Sequence, residues 1–182
     1  AMGGYYYSPL FAWLGSPLGR LPWHIVRMLW AFLNLGLFVV LLREVRKCAG
    51  LHSWKDIPFL WWPIAGILVS GQFQTGQVSL LISVLTFLSL VWSTREEREI
   101  PAALPLALAI DIKIYPAFFL LYFLLTQRWK FLLSVAGFLV VFALAPAIVV
   151  GWTRNLDLLS LQGEVLSSVS LREDFGREPY QS

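Results

Sequence analysis

Long apolar segments separated by short polar ones make up most of this 182-residue chain. Such runs predict membrane-spanning helices, because a bilayer core of about 30 Å needs roughly 20 apolar residues that rise 1.5 Å each. The segment 57–70 is short for a crossing, or it continues into the turn that follows it. The expected fold is an all-α polytopic membrane protein, a single transmembrane domain over residues 1–182 with about four spans, at 21–42, 57–70, 78–92 and 131–152.

Residues 100–126 predict a helical hairpin that re-enters the membrane instead of crossing it. As one helix, this stretch would be about 40 Å long and would hold Asp111 and Lys113 near its middle, at about 2.5 to 3.5 kcal/mol each. Pro116 breaks an interior helix, fits the first turn of a new one and disfavours helical geometry at Tyr115. We therefore expect two half-length helices joined by a turn from Asp111 to Pro116, with the tip lining a cavity.

The distribution of basic residues supports this topology. With the hairpin, eight basic residues lie on one side and four on the other, and the positive-inside rule makes the richer side cytoplasmic. The turn at 71–77 and the Lys113 turn then both face the extracytoplasmic side. The cytoplasmic set is Arg43, Arg46, Lys47, Lys55, Arg95, Arg98, Arg128 and Lys130, and the opposite set is Arg20, Arg27, Lys113 and Arg154.

Residues 157–172 have the pattern of an amphipathic helix. Apolar residues recur at helical spacing in this stretch and polar residues occupy the other positions, which predicts a helix lying on the outer membrane surface. The apolar positions are Leu158, Leu161, Val165 and Val169.

Composition agrees with a membrane protein and excludes other classes. The chain is 58% hydrophobic and 14% charged, whereas soluble domains carry about 25% charged residues. The single cysteine, Cys48, excludes an internal disulfide, and His24 and His52 offer no metal-ligand spacing, so we expect no metal and no cofactor. The net charge of +3 does not predict nucleic-acid binding, because the basic residues cluster between apolar runs as topology signals do.

Lys113 is the strongest candidate for a binding residue. An ionisable side chain inside an apolar hairpin indicates a functional site, because a partner or a ligand must offset its desolvation. A compact ammonium at the tip of a cavity suits a phosphate group. The structural alternative is an ion pair with Asp111 in the same turn.

Two further groups of polar residues face the same side. Gln72, Gln74 and Gln77 lie in the turn 71–77 and offer neutral donors and acceptors for sugar hydroxyls or a phosphodiester, although a simple helix-to-helix turn would also explain them. Arg20, with His24 and Arg27 at helical spacing after it, either reaches lipid headgroups or contacts a substrate phosphate.

Three segments, in this order, carry a family resemblance. Tyr7-Ser8-Pro9 precedes one helix, Gly76-Gln77-Val78-Ser79 begins another, and Lys113-Ile114-Tyr115-Pro116 is followed by Arg128-Trp129-Lys130. These segments resemble the Tyr-Pro-Pro-like, Gly-Gln-Val-Asn and Lys-x-x-Pro features of the family 87 glycosyltransferases, which belong to the C-type superfamily. Ser8 and Ser79 depart from the proline and asparagine that are common there.

The resemblance implies a polytopic membrane enzyme. It would move a hexose, mannose in the first place, from a polyprenyl-phosphate-linked sugar donor to an extracytoplasmic acceptor at a bacterial plasma membrane. With the residue analysis above, it implies that donor and membrane lipids, but no nucleic acid, are the partners. The expected substrate-binding residues are Lys113, Gln77, Gln72, Gln74, Tyr115 and Arg20.

The catalytic residue stays unassigned at this point. Enzymes that resemble this chain carry an acidic residue upstream of the Tyr-Pro segment, whereas the first carboxylate here is Glu44. We therefore expect a fragment of a longer enzyme that is inactive alone. The alternatives are a transporter, because broken helices around a charge at the membrane midplane also form transport sites, or a lipid-binding or structural membrane subunit.

Overall fold

The computed structural model describes residues 8–50, 78–94 and 98–171, and every regular element in these ranges is helical. The all-α class is therefore confirmed for this part of the chain. We number the α-helices α1 (Pro9–Gly15), α2 (Trp23–Cys48), α3 (Ser79–Ser93), α4 (Glu99–Ile112), α5 (Phe119–Leu125), α6 (Trp129–Leu144), α7 (Ala147–Val150) and α8 (Trp152–Leu171). Short 3-10 helices at Ser16–Arg20 and Tyr115–Phe118 precede α2 and α5.

Within residues 8–50, 78–94 and 98–171, two helical stretches are long and apolar enough to cross a membrane. They are α2, with 26 residues, and Trp129–Val150, which joins α6 and α7 into 22 residues. The predicted segment 57–70 lies outside the described residues, and α3 is a shorter apolar helix of 15 residues. The all-helical, apolar character fits a membrane protein, and the count of about four spans stays a prediction.

The helix bounds differ from the apolar segments at two places. Helix α2 continues past Leu42 to Cys48, where Glu44 and Lys47 form an ion pair at 2.5 Å within its last turns. Helix α8 begins at Trp152 instead of residue 157, directly after Gly151, whose φ of 87° favours glycine. The placement of α8 at a membrane surface stays a prediction.

Helix α4 is the centre of the described bundle and packs against both α3 and α6. It is rich in alanine, and its alanines at 102, 103, 107 and 109 are fully buried. Small residues let helix backbones approach closely in membrane proteins, where close packing drives association. The hydroxyl of Ser89 on α3 donates to the carbonyl of Ala102 at 2.6 Å and adds a polar contact between these two helices.

In the part of the chain that the structure describes, the apolar core consists of two clusters along α4. The first lies towards the start of α4 and contains Ala102, Ala103, Leu106, Ala107, Phe123, Phe131 and Val135. The second lies towards its end and contains Val78, Ile82, Ala109 and Ile112, with Phe11 of α1 and Trp30 of α2 packed against it. The two clusters therefore mark two ends of the bundle, which we call the Arg128 end and the Lys113 end.

The chain breaks helical geometry at Lys113 and then returns along the bundle. Lys113 is extended, with φ of −145° and ψ of 136°, and the 3-10 helix at Pro116 follows. Phe123 of α5 then packs into the same cluster as Ala102, near the start of α4. A helical hairpin over 100–126 would return in this way, and both the membrane hairpin and its depth stay predictions.

Asp111 and Ile112, expected in the turn, are the last helical residues of α4. The reason is a backbone hydrogen bond: the N–H of Lys113 donates to the carbonyl of Ala109 at 3.0 Å and completes the final helical turn. The turn is therefore shorter than the sequence predicts, and Asp111 has a helical position.

Candidate functional site

The Lys113 turn has buried flanks and an accessible middle. On one side, Ile112 is 2% exposed and packs with Val78 in the second apolar cluster. On the other side, Pro116 is fully buried, whereas Tyr115 between them is 53% exposed. Lys113 itself is half-buried. The backbone around Lys113 is thus anchored on both sides, while residues of the turn reach the surface.

A hydrogen bond joins Asp111 to Ser8, at the start of the described chain. The Ser8 hydroxyl donates to Oδ2 of Asp111 at 2.5 Å, and Ser8 is only 2% exposed. Ser8 is also the N-cap of α1, because its Oγ accepts the N–H of Phe11 at 3.1 Å. One hydroxyl therefore caps α1 and holds the carboxylate at the end of α4.

Ser8 is not among the site residues that the sequence predicts. The signal that could have revealed part of it is the pair Ser8-Pro9, because serine at the N-cap followed by proline at the first helical position marks a helix start. That signal predicts the cap of α1. It does not predict Asp111 as the second partner, 103 positions away.

The three glutamines, Gln72, Gln74 and Gln77, lie outside the described residues. The residue that follows them, Val78, is 4% exposed and packs with Ala109 and Ile112. Helix α3 therefore begins beside the end of α4, and the chain position after Gln77 is next to the residue that precedes Lys113.

Tyr115 and Arg20, the other two predicted site residues, occupy surface positions. Tyr115 begins the 3-10 helix at Tyr115–Phe118, and Arg20 ends the one at Ser16–Arg20. Both side chains are exposed, and within residues 8–50, 78–94 and 98–171 neither makes a hydrogen bond or an ion pair. The structure thus brings Ser8, Asp111 and the Lys113 turn together, and no described contact joins Arg20 to them.

Arg128, from the basic segment Arg128-Trp129-Lys130, lies at the other end of the bundle. The N–H of Gln127 donates to the carbonyl of Leu124 and the N–H of Arg128 donates to that of Phe123, both at 3.0 Å, which is a Schellman motif at the end of α5. The Arg128 guanidinium then donates to the carbonyl of Ser93, the last residue of α3. A cation at a helix C-terminus is favourable, because it pairs with the negative end of the helix dipole.

The chemistry at the Lys113 end suits an anion. A lysine ammonium is a compact charge with three donors, and its hydrogen bonds to an ionised acceptor are stronger than neutral ones. In the part of the chain that the structure describes, no three His, Cys, Asp or Glu side chains group as metal ligands would.

Comparison with known proteins gives one family and two curated relatives. The model of glycosyltransferase family 87 matches residues 5–178. A polyprenol-phosphate-mannose-dependent alpha-(1-2)-phosphatidylinositol pentamannoside mannosyltransferase from Mycolicibacterium smegmatis is 32% identical over 126 residues, which cover 68% of this chain and 30% of that protein. GPI mannosyltransferase 1 from Candida albicans is 28% identical over 140 residues, which cover 73% of this chain and 35% of that protein.

The matched part is thus about a third of the length of these curated relatives, at 30% and 35%. No solved structure gives a significant match to the chain. The expected family resemblance is confirmed, since the family model covers almost the whole chain.

Proposed function

Since the chain belongs to glycosyltransferase family 87, we propose that it forms part of a membrane mannosyltransferase that uses polyprenyl-phosphate mannose. The name of the Mycolicibacterium smegmatis relative states dependence on polyprenol-phosphate mannose, and the Candida albicans relative is also named a mannosyltransferase. The apolar helices suit an enzyme whose donor is a membrane lipid. The active side is extracytoplasmic, and the membrane is the plasma membrane of a bacterium.

The geometry of the bundle supports this orientation. The contact between Arg128 and the carbonyl of Ser93 joins the end of α3 to the start of α6 at one end of the bundle. In the sequence, Arg95, Arg98, Arg128 and Lys130 lie next to these two helix ends, and all four belong to the basic set that the positive-inside rule makes cytoplasmic. The Lys113 turn, at the other end of α4, then points to the opposite side of the membrane.

Lys113 binds the phosphate of the donor, and this assignment rests on one observation: a lysine in a turn with buried flanks at the end of a buried helix. When the sugar is transferred, an acceptor hydroxyl gives up its proton to a base and its oxygen bonds to the anomeric carbon of the sugar. The bond between that carbon and the phosphate oxygen breaks, and the lipid phosphate leaves with additional negative charge. A fixed ammonium stabilises that charge, most effectively where water is excluded.

The length of α4 supports a position of its end in the outer half of the membrane. Helix α4 has 14 residues, so at 1.5 Å per residue it is about 21 Å long, against about 30 Å for the bilayer core. Starting from the cytoplasmic surface, such a helix ends within the outer half of the membrane. The phosphate of a lipid-anchored donor reaches the protein near that level.

The glutamines and two surface residues complete the site. Gln77 assists Lys113 in binding the donor, since its neighbour in the chain, Val78, packs beside Ile112, while Gln72 and Gln74 offer hydrogen bonds to the sugar. Tyr115 supplies a hydroxyl at the exposed side of the turn, and Arg20 contacts a phosphate from the end of the 3-10 helix that precedes α2.

The test is binding of a fluorescent polyprenyl phosphate to the protein in lipid nanodiscs. We expect Lys113→Met to weaken binding about tenfold, which corresponds to about 1.4 kcal/mol. Asp111→Asn should retain binding, and so should the matched control Lys130→Met, which removes an exposed lysine at the Arg128 end. If folded Lys113→Met protein binds as tightly as the unmodified protein, the phosphate assignment is wrong.

A further inference from the structure

We propose that Ser8 and Asp111 are positioning residues, whose hydrogen bond holds the Lys113 turn in the orientation that binds the donor phosphate. This inference rests on the function proposed for Lys113. Neither side chain is assigned a contact with the donor. Their role is to fix the end of α4 against α1, so that the ammonium two residues further on points in a defined direction.

The first observation is that the Ser8 hydroxyl makes two hydrogen bonds. Its oxygen accepts the N–H of Phe11, while its proton goes to the carboxylate of Asp111. Both contacts lie in a region of low exposure, since Ser8 is 2% exposed. A polar group in such a place needs a partner, because desolvation without one is unfavourable. Removal of the Ser8 hydroxyl or of the Asp111 carboxylate therefore changes the local structure.

The second observation is the direction of the two anchors before Lys113. Asp111 is joined to α1 by a hydrogen bond, and Ile112 packs against α3 through Val78 and Ile82. Consecutive helical residues point about 100° apart around the helix axis, since a turn has 3.6 residues. The last turn of α4 is therefore held from two different directions, towards α1 and towards α3. Lys113 follows directly.

The third observation is that Asp111 is an unfavourable choice for the helix itself. It lies in the last turn of α4, where the negative end of the helix dipole repels a carboxylate. An apolar residue would suit the last turn of the helix better. The hydrogen bond from Ser8 is the described contact that favours a carboxylate at this position.

Four variants separate the link between Ser8 and Asp111 from the cap of α1. Ser8→Gly keeps most of the capping preference, since glycine is nearly as good an N-cap as serine, but it removes the hydroxyl that reaches Asp111. Ser8→Thr restores a hydroxyl. Asp111→Leu removes the acceptor, and Asp111→Asn keeps an amide oxygen that accepts the same hydrogen bond.

The measurement is binding of the fluorescent polyprenyl phosphate in nanodiscs, on monodisperse protein whose helicity is checked by circular dichroism. We expect Ser8→Gly and Asp111→Leu to weaken binding about fivefold, with Ser8→Thr and Asp111→Asn within twofold of the unmodified protein. A purely structural contact would lower the unfolding temperature of Ser8→Gly and leave the affinity of the folded protein unchanged.

The outcomes distinguish this inference from the proposed function. If Lys113→Met weakens binding and Ser8→Gly binds as tightly as Ser8→Thr, the positioning role is wrong and the phosphate site stands. If Lys113→Met itself binds normally, the phosphate site is wrong. Should Asp111→Leu fail to fold, the comparison of Ser8→Gly with Ser8→Thr decides the question alone.

Discussion

The two ends of α4 use charged side chains in different ways. At the Arg128 end, a guanidinium donates to the carbonyl of Ser93 and so completes the C-terminus of α3. At the Lys113 end, a carboxylate in the last turn of α4 is held by the hydroxyl of Ser8 from another helix. The first contact satisfies a backbone group that every helix end leaves without a partner. The second joins two side chains and leads directly into a partly accessible turn.

This difference predicts that the Arg128 end contributes mainly to stability and the Lys113 end mainly to binding of the donor. The Arg128 end also contains the largest buried side chains, Phe123 and Phe131, packed around the alanines of α4. The Lys113 end gathers parts of α1, α2, α3 and α4 around a smaller cluster, with Tyr115 exposed beside it. We therefore expect substitutions at the Arg128 end to lower stability with donor affinity unchanged, and Lys113 substitutions to do the reverse.

The largest effect is expected from Phe131→Ala. The rings of Phe131 and Phe123 stack with centroids 3.9 Å apart, and both side chains are fully buried. Removing one ring leaves a cavity, so the free energy of unfolding should fall by about 3 kcal/mol. Unfolding by SDS in detergent micelles measures this fall. Leu133→Ala, at a position that is 72% exposed, is the control and should change stability by less than about 0.5 kcal/mol.

The same variant tests whether the two ends are independent. Folded Phe131→Ala protein should bind the fluorescent polyprenyl phosphate with unchanged affinity. If its affinity instead falls as much as that of Lys113→Met, packing at the Arg128 end controls the Lys113 turn, and the separation of stability from binding breaks.

A smaller effect is expected from Arg128→Met. The substitution keeps the aliphatic length of the side chain and removes the hydrogen bond to the carbonyl of Ser93. A hydrogen bond that involves a charged group contributes about 1.5 kcal/mol or more, so the free energy of unfolding should fall by about that amount. Lys130→Met, two residues away and exposed, should leave stability nearly unchanged. Equal stability of both variants would mean that the Arg128 contact contributes nothing.

The apolar pattern predicts a helix best where the apolar segment and the helical backbone cover the same residues. Helix α3 agrees with the segment 78–92 to within one residue at each end, and α6 begins two residues before the segment 131–152. Helix α6 ends earlier than that segment, at Leu144, two residues before Pro146. Helix α2 continues past its apolar segment because backbone hydrogen bonding does not stop at a polar residue, and the pair of Glu44 and Lys47 supports the extension.

The candidate site is predictable only in part. Pro116 correctly indicates a break after α4, because proline restricts the local backbone. The hydrogen bonds at the two ends of α4 cannot be predicted from such local signals. Ser8 is 103 positions from Asp111, and Arg128 is 35 positions from Ser93. Periodicity shows which face of a helix is apolar, but it does not show which distant segment packs against that face.

The smallest effect is expected from Gln127→Gly, in the turn that delivers Arg128 to Ser93. Gln127 has a φ of 54°, in the left-handed region, where a side chain costs about 1 to 2 kcal/mol and glycine costs little. Glycine also gains freedom in the unfolded chain, which offsets roughly 0.5 to 1 kcal/mol.

The net result for Gln127→Gly should be a rise in the free energy of unfolding of about 0.5 kcal/mol, measured in the same SDS titration. Gln127→Ala is the matched control, because it removes the amide but keeps the Cβ, and it should give no rise. Donor affinity should be unchanged in both, since the turn lies at the Arg128 end. If the glycine variant were less stable than the alanine variant, the left-handed conformation would not be costly here, and the Gln127 backbone would contribute no strain to the Arg128 end.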